Sequence, residues 1–219
     1  MSMKRLAGLK DDQTIQNLNL CEFCFLEPNK QILFVDEHTY TIPSVGSFVE
    51  GYILIIHQEH RDCFAEVPPE HIQGSKQQIR REMEHIYGNC IIYEHGRTGN
   101  CSQRRECKID FHAHLHCLPA DIDLSDRIAQ DFRQIEVTTW SEIGELADSH
   151  PEYLYFESAD GDLFFYPVDK RIESHYLRKR ACEALELSSS YANWRDYPFE
   201  DNMQRTVRAF NRMNGVDLS

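Results

Sequence analysis

The sequence predicts an α+β fold: an antiparallel five-stranded sheet with one packed helix, followed by an α/β C-terminal extension. Two observations in the first 120 residues indicate this class. Short runs of β-branched and aromatic residues are separated by glycine and proline, as strands are, and one longer run between them has apolar residues at helical spacing. With 219 residues, 41% of them hydrophobic, the chain is long enough to bury a core.

Five strands and one helix are predicted up to residue 120. The strands are 31–37, 38–42, 48–57, 90–95 and 111–119, and the helix runs from Pro68 to about Tyr87. Proline lies in the first turn of this helix, and Ile72, Ile79 and Met83 recur at its period. Three strands, a helix and two strands fit an antiparallel sheet with one packed helix, because that arrangement needs the simplest connections.

The chain divides into three predicted parts: an N-terminal arm at 1–20, a domain at 21–120 and an extension at 121–219 that packs on the domain. In the extension, strands are predicted at 135–140, 153–157 and 163–167, and helices from 141, at 173–187 and at 200–213. Asp160-Gly161, between the second and third of these strands, is typical of a hairpin turn that needs a positive φ.

The charge pattern excludes some partners. The net charge is −13, and residues 121–162 have 12 acidic side chains against 2 basic ones. Such a surface repels long nucleic acids and anionic membranes. The start of the chain lacks the apolar segment of a signal peptide, and no apolar run is long enough to span a membrane. We therefore expect a cytoplasmic protein whose eight irregularly spaced cysteines are thiols or metal ligands.

One pair of cysteines predicts a metal site. Cys21 and Cys24 form a CxxC motif, whose spacing lets two thiolates reach one zinc ion, although a redox pair has the same spacing. His60 and His112 lie at the ends of two predicted strands and complete a Cys₂His₂ set, which is closed and therefore structural. The competing candidates for the second pair of ligands are His57, Cys63, Cys101 and Cys107.

The run His112-Ala-His114-Leu-His116-Cys-Leu-Pro119 is the strongest functional signal. Successive side chains of a strand point to opposite faces, so the three histidines share one face, while Ala113, Leu115 and Cys117 share the other. A row of imidazoles titrates near neutral pH, binds metal or attacks phosphorus. A solvated polar face is the alternative interpretation.

Three segments, GYILIIHQEH, IIYEHG and HAHLHCLP, resemble the histidine triad (HIT) superfamily of nucleotidyl hydrolases and transferases. The resemblance covers about residues 18–120. It implies that the middle histidine, His114, attacks the α-phosphate of a nucleotide or nucleotide conjugate and forms a nucleotidyl-histidine intermediate, while His116 donates to a phosphate oxygen or to the leaving group. A zinc-binding branch of the family implies one structural zinc ion per chain on Cys21, Cys24, His60 and His112. The family also implies a homodimer, unless the extension replaces the partner.

The chain departs from the family pattern around the substrate. Tyr52 stands where many members have a fourth histidine, and Lys108-Ile109 replaces the Gln-Ser pair that contacts phosphate. Ser44 lies near the position of the acidic residue that holds the ribose. Glu94 and His95 end a strand beside the triad. We predict substrate-binding roles for these four polar residues: Ser44, Glu94, His95 and Lys108.

Two other functions fit parts of the pattern. One is a nucleotide-binding or interaction module that has lost turnover. The other is a catalytic zinc ion held by all three triad histidines, although His112 cannot easily serve that site and the CxxC site together. One zinc ion per chain on the thiolates favours the nucleotidyl enzyme.

Overall fold

The computed structural model describes residues 21, 23–24, 31–98, 111–213 and 215. Its strands are β1 (Phe34–Val35), β2 (Thr39–Pro43), β3 (Ile53–His57), β4 (Ile91–Gly96), β5 (His114–Leu118), β6 (Ile135–Val137), β7 (Tyr153–Glu157) and β8 (Leu163–Pro167). The α-helices are α1 (Pro69–Tyr87), α2 (Ser125–Ala129), α3 (Trp140–Ser149), α4 (Tyr176–Ala184) and α5 (Glu200–Met213), with 3₁₀ turns at Phe64–Glu66 and Ser189–Ala192. No helix in the described ranges is both long and apolar enough to cross a bilayer.

The helix α1 follows the predicted signals. It begins at a proline, whose missing N–H is no loss in the first turn, and it ends before Gly88, which has a φ of 96°. Ile72, Ile79 and Met83 are buried along one face of it. That face packs on the sheet, which fixes the helix across the strands on the side away from the histidines.

All strands of the described residues belong to one antiparallel sheet, in the order β1-β2-β3-β5-β4-β7-β8-β6. The α+β class and the antiparallel pairing are as predicted, but the sheet has eight strands and not five. The first five in this order come from residues before 120. The other three strands come from the extension. They continue the sheet because β7 pairs with β4 over five residue pairs.

The two faces of the sheet have separate cores. We call the face that contains His114 and His116 the triad face; its apolar residues, including Leu54 and Ile56, pack against α2 and α4. On the opposite face, Ala113, Leu115 and Cys117 pack with α1 and α3. The alternation predicted for the histidine strand therefore holds from residue 113 to residue 117. The extension covers the triad face, so it helps to enclose the candidate site.

Candidate functional site

The two cysteines of the CxxC motif meet two histidines. Cys21 Sγ lies 3.3 Å from His112 Nδ1, and Cys24 Sγ lies 3.3 Å from His60 Nδ1 and 3.5 Å from His112 Nδ1. The two Nδ1 atoms are 3.2 Å apart, and all four ligand atoms lie within 4.8 Å of one another. These separations fit the edges of a tetrahedron around one ion with metal–ligand distances of about 2.0–2.3 Å.

The surroundings of this site match a structural zinc ion. The ring of His112 is held by its other nitrogen, because Nε2 donates to the carbonyl of His57 at 2.8 Å and leaves the Nδ1 lone pair directed at the thiolates. Hydrogen bonding with Cys24 and the nearby imidazole of His112 lower the pKa of Cys21 despite its burial, while the bond to Cys21 and burial raise the pKa of Cys24; a metal ion bound here would hold both as thiolates. Two thiolates and two neutral imidazoles are a donor set that zinc prefers.

The competing ligands of this site lie elsewhere. Cys63 is buried in the core of the opposite face, and His57 Nδ1 donates to the carbonyl of Glu59 at 3.0 Å. Cys101 and Cys107 lie outside the described residues. In the part of the chain that the structure describes, the four predicted ligands are the one cluster of three or more metal-binding side chains. His112 lies just before β5 and faces the cysteines, so it does not join the other two histidines in a second metal site.

His114 has a defined tautomer. Its Nδ1 lies 2.6 Å from the carbonyl oxygen of His112, which only accepts, so Nδ1 is protonated and Nε2 has a free lone pair. The ring lies between Phe23, at 5.1 Å between centroids, and His116, at 4.9 Å. Burial lowers the pKa of His114 to about 4, although part of the side chain reaches the surface. An accessible neutral imidazole with one free nitrogen is a nucleophile.

Two tyrosines orient His116. The hydroxyl of Tyr52 lies 2.7 Å from His116 Nδ1 and 2.5 Å from the hydroxyl of Tyr93. If Tyr93 donates to Tyr52 and Tyr52 donates to Nδ1, the proton of His116 is on Nε2. Burial and the charge of the neighbouring His114 lower the pKa of His116 well below its usual range. Burial raises the pKa of Tyr52 and of Tyr93, so all three groups are neutral.

His95 lies on the triad face. Its ring centroid is 6.3 Å from that of His116, and its Nε2 accepts a hydrogen bond from the backbone N–H of Leu177 at 3.1 Å. Leu177 lies in the first turn of α4, so this bond holds the extension against the triad. Burial lowers the pKa of His95 to about 3, so it is a neutral acceptor.

The other three residues with a predicted substrate-binding role, Glu94, Lys108 and Ser44, do not lie together on the triad face in the described part of the chain. Glu94 points to the opposite face, where its carboxylate accepts from Phe64 N at 2.7 Å and from the hydroxyl of Tyr153 at 2.7 Å. It therefore does not join the triad, because alternation along β4 places it on the other side from His95. Lys108 lies outside the described residues. Ser44 is buried and accepts a 3.3 Å hydrogen bond from Arg178 Nη1.

The sequence analysis did not identify two residues that lie near the triad: His175, which immediately precedes α4, and Arg178, which lies within it. Arg178 occupies the buried face of α4, with Ala181 and Cys182. Arg178 is three residues before Ala181 and four before Cys182, so all three lie on one face of the helix. A charged residue on an apolar helix face is unusual, and this pattern could have indicated a functional role for Arg178. Nothing in the local pattern indicated that this stripe would face the histidines.

Comparisons with known proteins place these features in context. No family model matches the chain. CWF19-like protein 1 of Mus musculus is 21% identical over 205 residues, which are 88% of this chain and 37% of that protein. The human protein of the same name is 20% identical over 199 residues, which are 85% of this chain and 36% of the relative. The chain thus spans little more than a third of the length of these relatives.

Solved structures similar to this chain include histidine triad proteins. One is a zinc-bound histidine triad family protein from Mycobacterium smegmatis, which is 24% identical in sequence. The match covers 60% of this chain and 93% of the M. smegmatis chain, with a TM-score of 0.36. Another is a hypothetical histidine triad nucleotide-binding protein from Sulfolobus tokodaii, which is 12% identical in sequence. The match covers 89% of this chain and 94% of the S. tokodaii chain, with a TM-score of 0.38. Because these scores lie below 0.5, the family resemblance rests on the motif and the site geometry. In both respects the chain resembles a divergent branch of the histidine triad superfamily.

Proposed function

We propose that the chain is a nucleotidyl hydrolase or transferase of the histidine triad type. It acts at the α-phosphate of a nucleotide ester, anhydride or phosphoramidate, through a covalent nucleotidyl-histidine intermediate on His114. The observation that supports this most directly is the hydrogen bond from His114 Nδ1 to the carbonyl of His112, since it leaves Nε2 free and unprotonated.

The reaction has two displacements. His114 Nε2 attacks the α-phosphorus, a phosphorus–nitrogen bond forms, and the bond to the leaving group breaks with its electrons going to that group. His116 Nε2–H donates a hydrogen bond to the leaving group or to a phosphate oxygen and so stabilises the charge that develops there, and the leaving group takes its proton from the solvent. Water, or another acceptor, then attacks the phosphorus; the phosphorus–nitrogen bond breaks, its electrons return to Nε2, and the proton of the acceptor is released to the solvent.

The zinc ion in this proposal is structural, one per chain, on Cys21, Cys24, His60 and His112. Bound there, it stabilises the turn of the CxxC motif and the residue before β5. Phe23 lies between the two cysteines and contacts the ring of His114, so the metal site supports the nucleophile from one side. No chemical step passes through the ion, because four protein ligands close its coordination.

Turnover of an adenosine phosphoramidate by the His114→Asn variant tests the proposal. We expect loss of turnover with the fold and the metal retained, because asparagine offers no nucleophilic nitrogen. The control is His85→Asn, which changes an exposed histidine of α1 and should leave turnover unchanged. Undiminished turnover by His114→Asn would contradict the proposal. Nucleotide binding by the wild-type chain without any turnover would instead favour a binding module.

A further inference from the structure

Arg178 is a buried cation beside the triad. Only 3% of its surface is exposed, and its guanidinium donates to the carbonyls of Ala192 at 2.9 Å and Gly46 at 2.5 Å and to the hydroxyl of Ser44 at 3.3 Å. The same group lies 5.0 Å from the ring centroid of Tyr52, whose hydroxyl bonds to His116. A guanidinium has five N–H donors; three of them make these contacts, and Tyr52 is a further hydrogen-bond partner of the group.

In the part of the chain that the structure describes, no carboxylate is within ion-pair distance of this charge. Arg180, two residues further on, is paired with both Asp131 and Glu183. A buried charge is strongly unfavourable unless an opposite charge reaches it. The position of Arg178 therefore favours an anion supplied from outside the chain.

A second basic group from the extension lies at the same place. His175 immediately precedes α4, with a φ of 62° in the left-handed region, and its Nε2 is buried without a hydrogen-bond partner among the described residues. His175 is two residues before Leu177, whose backbone N–H donates to His95, and burial lowers the pKa of His175 to about 4, so its ring is neutral. The left-handed backbone is costly for a residue with a Cβ and directs this ring differently from a helical residue.

The neighbours of these two residues are also basic or neutral. Arg178 acts electrostatically on three histidines of the sheet and on His175. The sheet histidines, which are His95, His114 and His116, face the first turn of α4, where Leu177 bonds to His95. In this cluster Arg178 has the positive charge and the histidines are neutral, although the chain as a whole has a net charge of −13.

We propose that His175 and Arg178 form the phosphate-binding part of the triad site, with Arg178 neutralising the charge of a phosphoryl group and His175 donating a hydrogen bond to it. This inference deepens the proposed function and rests on it for the nucleotide. Guanidinium is suited to the task, because its planar donors match two oxygens of a phosphate. The extension thus completes the site in addition to covering it.

Equilibrium binding of three probes tests the proposal: AMP, adenosine and inorganic phosphate. Calorimetry is done on the wild-type chain and on Arg178→Gln, Arg178→Lys and His175→Ala. Arg180→Gln is the matched control, because it removes the same charge from the same helix at a residue paired away from the site. We expect Arg178→Gln to weaken AMP binding by about 10- to 100-fold with adenosine unchanged. Arg178→Lys should restore part of the loss, and the control should bind as the wild type does.

The ratio of the two affinities separates this role from a structural one, since a damaged fold weakens AMP and adenosine together. Equal AMP binding by the wild type and a folded Arg178→Gln variant would overturn the proposal, as would a wild-type chain that binds neither AMP nor phosphate. Phosphate binding that depends on Arg178, without nucleotide binding, would keep the anion site and refute the proposed nucleotide function.

A measurement on the wild-type chain covers the case in which Arg178→Gln does not fold. The side-chain Nε–H signal of Arg178, assigned in an NMR spectrum by its loss in Arg178→Lys, should shift when AMP is added and not when adenosine is added. A signal that is unmoved at saturating AMP would overturn the proposal.

Discussion

At the scale of the residue, the hydroxyl of Tyr52 is the feature that most distinguishes this site. It replaces a histidine of the family pattern and still reaches the triad, since it bonds to both His116 and Tyr93. When Tyr93 donates to Tyr52 and Tyr52 donates to Nδ1 of His116, the proton of His116 is on Nε2, and His116 is then a donor to the substrate.

Replacement of Tyr52 by phenylalanine should lower kcat by about 10- to 100-fold, because the bond that sets the tautomer of His116 is lost while the ring still packs. Steady-state kinetics with an adenosine phosphoramidate measure this. Tyr166→Phe is the control, since that hydroxyl bonds to Ser125 and Gln134 away from the triad. A kcat equal to that of the wild type would show that Tyr52 does not orient His116.

Glu94 is a buried carboxyl whose ionisation affects stability. Burial raises its pKa from 4.5 to about 7, although Phe64 N and Tyr153 donate hydrogen bonds to it. A raised pKa means that the folded state binds the proton more tightly than the unfolded state does. The stability that this group contributes is therefore complete below about pH 4.5 and is lost as the pH rises through 7.

The variant Glu94→Gln should be free of this loss. Relative to the variant, the wild type should lose on the order of 3 kcal/mol of unfolding free energy between pH 4.5 and pH 8. Urea denaturation of both proteins at several pH values measures the difference. If that difference does not change with pH, then Glu94 does not have the raised pKa that its burial implies.

The sequence was a better guide to the residues that carry the proposed chemistry than to the residues that surround them. The CxxC pair and the two strand histidines follow from spacing and alternation, which are local properties, whereas His60 and His112 were selected among several candidates by the resemblance to the family. A substrate-binding role is predicted for Glu94 because it lies near the end of a strand beside the triad, but adjacent strand residues face opposite sides, and Glu94 faces away from the histidines. Arg178 needs a tertiary contact between α4 and the loop after β2, and no local pattern reports such a contact.

At the scale of the element, the turn of the CxxC motif and the start of β5 are joined through the four metal ligands. Replacing Cys21 by alanine should remove the zinc ion and lower the Tm by about 10 °C or more, because structural zinc contributes to folding directly. Turnover should also fall, since Phe23 would lose its position against His114.

Cys63→Ala is the control for this change, because Cys63 is a buried thiol outside the metal cluster. Metal analysis and thermal unfolding of both variants give the readout. We expect one zinc ion per chain in the wild type and in Cys63→Ala. Retention of the metal and the Tm by Cys21→Ala would place the zinc site elsewhere.

Most helices and strands could be predicted from the local sequence pattern. Where the observed ends differ from the predicted ones, the backbone conformation explains the difference. The hairpin strands β7 and β8 and the helix α5 have the predicted bounds. The predicted helix at 173–187 is shorter, from Tyr176 to Ala184, because His175 and Glu186 adopt left-handed conformations that end the helix on both sides.

At the scale of the whole molecule, the extension occupies an edge of the sheet. β7 pairs with β4 along its length, so that edge has no free backbone groups with which a second copy of the chain can pair. The sequence predicted both strands but not their pairing, because strand partners far apart in the chain leave no local signal. The sheet therefore has eight strands where five were predicted.

The filled edge predicts a monomer. Light scattering during gel filtration should give a mass near 25.7 kDa, independent of concentration. A mass of twice that value would mean that the chain pairs through another surface, and that β7 does not replace a partner.

The covalent intermediate on His114 is the central claim and can be observed directly. The wild-type chain is mixed with an adenosine phosphoramidate, quenched during turnover in alkaline denaturant and digested for mass spectrometry. We predict one nucleotidyl group on His114, absent from His114→Asn. Turnover by the wild type with no nucleotidyl group on this residue, or with the group on another side chain, would contradict the account.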